Sequence, residues 1–116
     1  MPQYAALTFT RDVDWTAPEQ AGEMADWTEF RDAAMASIRG GAALYPTSTA
    51  TTVRVDGGKG GDVVTTDGPY TETKEVLTGF YLLECADLDE AVGLAAKIPA
   101  AWTGGIIEVR PVIPMG

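Results

Sequence analysis

The stretch Asp67-Gly68-Pro69-Tyr70-Thr71-Glu72-Thr73-Lys74-Glu75 runs directly into Val76-Leu77-Thr78-Gly79-Phe80-Tyr81-Leu82-Leu83-Glu84-Cys85. The first half is a charged turn and the second is the clearest strand in the chain. From Gly79 to Cys85, Phe80 and Leu82 fall on one side with Glu84, and Tyr81, Leu83 and Cys85 fall on the other. Strand side chains alternate between faces, so this segment carries apolar groups on both. It needs cover on two sides, which is the condition of a central strand.

Upstream of the turn, Ala50 to Val55 and Asp62 to Thr66 are rich in Thr and Val and flank Asp56-Gly57-Gly58-Lys59-Gly60-Gly61. This reads as a β-hairpin. A phosphate loop would lead into a helix, with Lys followed by Ser or Thr, and here a strand follows. Ala42 to Tyr45 is a short strand stopped by Pro46. Before it, Met24, Trp27, Phe30, Ala34 and Ile38 recur every three or four residues, which predicts a helix running to about Arg39. Thr16, Pro18 and Glu19 supply a capping start, and Gly40-Gly41 a C-terminal stop. The aromatic stripe of that helix reads as core packing in preference to a ligand pocket.

The first strand is Tyr4 to Thr10, joined to the helix by a charged connection from Arg11 to Trp15. Downstream, Asp87-Leu88-Asp89-Glu90 opens a second helix, with Asp87 as cap and Leu88, Ala91, Val92, Ala95 and Ile98 as its apolar side. Pro99 limits it, and Ile106 to Val109 is a last strand. Strand-helix-strand, hairpin, strand-helix-strand is the order of an α+β, ferredoxin-like plan: two helices on one face of a mostly antiparallel sheet, with an added β-hairpin, in a single domain over residues 1–116. Parity places Ala5, Leu7, Phe9, Tyr81, Leu83, Cys85, Ile107 and Val109 under the helices. The opposite face then holds Tyr4, Ala6, Thr8, Phe80, Leu82, Glu84, Ile106, Glu108 and Arg110. Its apolar part predicts a homodimer packed sheet to sheet. The Glu and Arg residues there form either a structural ion pair or a polar pocket between the two sheets.

Composition narrows the function classes. Seventeen acidic residues against eight basic ones give a net charge of −9, and the bases are scattered. Neither nucleic acid nor an anionic membrane is an expected partner. The chain has no histidine, which removes the usual general base, and a single cysteine, which removes thiolate metal sites. Asp62, Asp67, Glu72 and Glu75 lack EF-hand spacing, so neither metal nor cofactor is expected. No signal peptide and no spanning helix is visible, and the expected location is cytoplasmic.

Asp67-Gly68-Pro69 is a tight turn by residue chemistry, and Thr71 to Glu75 reads as one helical turn that brings Glu72 and Glu75 to one side. Asp67 is then either a turn cap or one of a set of carboxylates able to do acid–base work. Asp67-Gly68-Pro69-Tyr70, Glu72-Thr73-Lys74-Glu75, Gly79-Phe80-Tyr81, Asp87-Leu88-Asp89-Glu90-Ala91 and Ile107-Glu108-Val109-Arg110-Pro111-Val112 together resemble the DGPF-type, YCII-related domain family. Tyr70 stands where the family name has Phe. The resemblance implies a dimeric ferredoxin-like fold and little about reaction. Some similar proteins are associated with alternative sigma factors, and a His–Asp pair proposed as catalytic in distant members has no histidine here. Three functions follow as expectations. One is a small-molecule-binding module near Asp67, with Arg54, Tyr70, Glu72, Glu75 and Arg110 as contacts. A second is a cofactor-free enzyme with Asp67 as acid or base. The third is a regulatory partner of transcription proteins.

Overall fold

Residues Gln3–Thr10 alternate half-buried and buried along β1, which lies inside a four-stranded sheet. The computed structural model describes residues 1–115, apart from the side chains of residues 19, 21 and 23. After β1 come a 3₁₀ segment over Pro18–Glu23, helix α1 (Met24–Ala34), β2 (Ile38–Ala43), the hairpin strands β3 (Thr51–Asp56) and β4 (Asp62–Asp67), β5 (Val76–Glu84), α2 (Leu88–Ala95) and β6 (Ile106–Pro111). The main sheet has the order β2-β5-β1-β6, and every pairing in it is antiparallel. The expected α+β, ferredoxin-like arrangement is therefore present. β3 and β4 form a separate two-stranded sheet.

The core lies between the sheet and the two helices. Phe30 and Ala34 descend from α1, Ala91 and Ala95 from α2, and Tyr4, Ala6, Leu83 and Cys85 rise from the sheet. Small residues on α2 let that helix lie close to the strands. Asp87 caps it as expected, its carboxylate accepting from the Glu90 N–H at 2.9 Å.

Four expectations are corrected. First, the helix expected to reach Arg39 stops at Ala34, and Ile38 to Gly41 belong to β2. Gly40-Gly41 is not a helix stop. A Cβ on Gly41 would lie 2.5 Å from the Phe80 carbonyl oxygen, so glycine there permits β2 to close on β5. Second, Thr16 does not cap by accepting. Asp14 accepts from both its N–H and its hydroxyl, at 2.9 and 2.6 Å; the reach-back expected of Glu19 lies outside the described side chains. Third, residues 71–75 form bends without a helical turn.

The fourth correction concerns parity in β1. Tyr4 pairs with Leu83, and Ala6 with Tyr81 and Val109, so Tyr4, Ala6 and Thr8 face the helices. Ala5, Leu7 and Phe9 share the open face with Leu82, Phe80 and Ile106. The choice by hydrophobicity alone put the bulkier set inside. The structure instead buries the smaller set beneath close-packed helices and leaves the bulkier set outside. Glu84 on this open face pairs with Arg39, Nε to Oε2 at 2.7 Å, and not with Arg110.

Candidate functional site

Trp15 sits on a turn held by Asp14, and its indole N–H donates to the Thr78 carbonyl at 3.0 Å. The same carbonyl accepts from the Leu44 N–H at 3.0 Å. Both bonds depend on an irregularity in β5. Thr8 pairs with Gly79 and Phe9 with Leu77, so Thr78 is an extra residue with no opposite number. Such a bulge re-aims side chains, and Thr78, only 3 % exposed, turns to the helix side of the sheet. Its hydroxyl donates to the Thr8 carbonyl over 3.4 Å.

On α1, Met24, Trp27 and Arg31 follow one another at spacings of three and four residues and share a side of the helix. Phe30 and Ala34 point into the core beside them. Trp15 meets Trp27 edge to face at 5.6 Å, and Trp27 lies 6.5 Å from Tyr81, which in turn meets Phe30 at 4.9 Å. Pairs of this geometry contribute about 0.5–1.5 kcal/mol each beyond burial. They fix the rings as the walls of a cleft of about 160 Å³ between the 3₁₀ segment, α1 and the β2–β5 edge. Thr8, Thr78 and Gly79 also line it, as do Ala42 and Ala43. A second hollow, about 420 Å³, shares Trp15 and Gln20 with the first and is bounded by Arg11 and the Thr103-Gly104-Gly105 loop. Half of its lining is polar, and it offers no comparable set of rings. The aromatic cleft is the better-formed site.

The residues expected around the turn are placed elsewhere. Asp67 ends β4, exposed, and Gly68 returns its N–H to the Ala50 carbonyl at 2.7 Å. Tyr70 and Glu72 are exposed and Glu75 is half-buried. Arg54 pairs with Asp56 on the hairpin at 2.9 Å. Arg110 lies on the open face of β6, opposite Ala5. None of these six lines either of the two hollows. Asp62 and Asp67 stand at opposite ends of β4, about 17 Å apart by strand rise. Among the described residues no group of three His, Cys, Asp or Glu side chains is arranged to hold a metal ion.

The sequence reading missed Trp15, Thr8, Thr78 and Arg31. One signal was available: Trp15 and Trp27 flank a capped turn, and Met24, Trp27 and Arg31 repeat at helical spacing. The bulge that brings Thr78 to the cleft left no such mark. Cys85 lies deeper in the core, fully buried, and burial followed by the nearby Glu90 carboxylate pushes its thiol up from the ordinary value.

Comparison with known proteins adds identity without chemistry. An uncharacterised protein of Rhizobium meliloti (strain 1021) is 46 % identical over 71 residues, covering 60 % of this chain. The match spans 55 % of that protein's own length. Among the described residues, no helix is long and apolar enough to cross a membrane. The YCII-related domain profile matches residues 4–116, almost the whole chain, and the chain belongs to the YCII-related domain family.

Proposed function

We propose that this chain is a small-molecule-binding domain that works as a homodimer and holds its ligand in the Trp15–Trp27–Tyr81 cleft. The observation that carries this reading is the cleft itself. It is concave and ring-lined, with a few polar groups at its floor and rim, the usual make-up of a small-molecule site. The expected site at the Asp67 turn has less support. Its carboxylate is exposed, so water is its neighbour, and an acid–base role there would lack an enclosed substrate. The opening stretch still reaches the site, because Thr78, Gly79 and Tyr81 of β5 line the cleft.

The homodimer is supported by the open sheet face. Leu7, Phe9, Phe80 and Leu82 lie together there, only half-buried in the single chain. A patch of that kind on a water-facing sheet marks an interface.

Nuclear magnetic resonance with a small panel of single-ring fragments (phenol, benzoate, benzamide) locates the site. The indole N–H signals of Trp15 and Trp27 should move on titration while that of Trp102 stays. Movement concentrated at the Gly68 and Tyr70 amides would instead place the ligand at the turn and sink the cleft reading.

A further inference from the structure

Resting on the cleft as the binding site, we propose that it selects one chemical class: a single-ring aromatic carboxylate bearing a second hydrogen-bonding group on the ring. The volume sets the number of rings. About 160 Å³ is close to the roughly 150 Å³ apolar cavity that takes up one benzene molecule. The cleft is open on one side, so a second fused ring would extend out of it into solvent. The walls set the shape, since Trp15, Trp27 and Tyr81 offer ring faces and edges to a flat guest.

The rim sets the charge. Arg31 lines the cleft, is exposed, and forms no ion pair among the described residues, whereas Arg39 and Arg54 each have a carboxylate partner. A guanidinium presents a planar fork that matches a carboxylate in two parallel hydrogen bonds. One arginine in a chain of net charge −9 suits a monoanion, not a phosphate. A neutral hydrocarbon would leave the fork unused.

The floor sets the second group. Thr8 is only 2 % exposed and lines the cleft; its hydroxyl bonds no other described side chain and is not sealed in the protein, so it opens into the cleft. The neighbouring Thr78 hydroxyl is already engaged with the Thr8 carbonyl. A hydroxyl that opens into a cleft can exchange water for a polar group of a guest. A ring hydroxyl or amino group on the guest takes that place at the inner end while the carboxylate stays at the exposed end.

Calorimetric titration with para-hydroxybenzoate, benzoate, para-hydroxybenzamide and phenol tests each element. The hydroxy acid should bind best, with the amide about tenfold weaker, as befits loss of a charge-assisted hydrogen bond. Arg31→Gln should bring the acid down to the amide, and Arg31 is exposed, so the variant keeps the fold. Thr8→Val, nearly equal in size, should remove the advantage of para-hydroxybenzoate over benzoate. If acid and amide bind alike, or Arg31→Gln leaves the acid unchanged, the charge assignment is overturned while the cleft stands. If Thr8→Val leaves the hydroxyl preference intact, the assignment of the floor is overturned. If no member of the panel binds, phenol included, the cleft reading falls with it.

Discussion

Asp14 acts on the cleft without lining it. Its carboxylate accepts two hydrogen bonds from Thr16, and these bonds favour the ionised form and hold its pKa below the ordinary value of 3.8. The side-chain bond from the Thr16 hydroxyl contributes most, followed by the one from the backbone N–H. A carboxyl whose folded value is depressed stabilises the fold above its unfolded value, and that contribution is lost as pH falls through the folded one. Asp14→Ala should therefore melt below the wild type at about pH 6, and the gap should close as pH falls toward about 2. A gap that stays constant across that range, followed by circular dichroism, would show that the two bonds carry no charge dependence. The residue scale also shows what sequence can reveal about a site. The Asp87 cap was legible, because a cap needs only its own next three residues. Trp15 and Thr78 were not, because their meeting depends on a bulge between β1 and β5. Such a bulge is decided by pairing partners sixty and more residues apart.

At the scale of the element, the glycine pair at Gly40-Gly41 separates two readings of one segment. As a helix stop, the first glycine would matter most, since the residue just past a helix end favours the left-handed backbone. In β2 the second matters. A Cβ on Gly40 would meet only Leu82 Cδ1, at an ordinary 3.5 Å, whereas one on Gly41 would press on the Phe80 carbonyl at 2.5 Å. Gly41→Ala should cost about 1–3 kcal/mol, in the range of overpacked interiors. Gly40→Ala should cost less than about 1 kcal/mol. Urea titration of the two variants decides the matter, and the reverse order would return the segment to a helix end. The misreading has a physical cause. Ile38 continues the spacing of Met24, Trp27, Phe30 and Ala34, and it does end up against the core, as a strand residue. Periodicity reports which side chains are buried and cannot by itself say which backbone carries them. Elements fixed by local chemistry, such as the hairpin and the start of α2, were legible. β2 was legible only at its end, where the strand expected over Ala42 to Tyr45 overlaps it at Ala42 and Ala43; its start at Ile38 was not, because only pairing with β5 makes that part a strand.

The whole molecule is flat. It measures 46 × 41 × 19 Å, and its radius of gyration of 16.4 Å exceeds the roughly 13 Å of a compact chain of similar length. One helix layer on one sheet accounts for the thinness, and the outlying β3–β4 hairpin widens it. A single layer leaves the sheet's second face without cover, and that face carries the bulkier apolar set of the central strand: Ala5, Leu7 and Phe9 against Tyr4, Ala6 and Thr8. A strand that offers its more apolar side to water is understandable if that side is covered in the working assembly. The proposed sheet-to-sheet homodimer supplies the cover and, in a two-fold arrangement, puts Leu7 from each copy near the middle, because β1 is an inner strand flanked by Phe80 on β5 and Glu108 on β6. Leu7→Lys then removes two leucines per dimer, each already half-buried in the single chain and so worth about 1–1.5 kcal/mol on association, and adds two charges whose desolvation costs more. The dimer dissociation constant should rise by about 100-fold or more. Within one chain Leu7 is only half-buried and faces away from the helices, so the substituted monomer should keep its circular dichroism spectrum. Sedimentation equilibrium measures the outcome directly. A wild type that stays monomeric at micromolar concentration, or a Leu7→Lys variant that dimerises as tightly as the wild type, would show that the open face is covered by something other than a second copy.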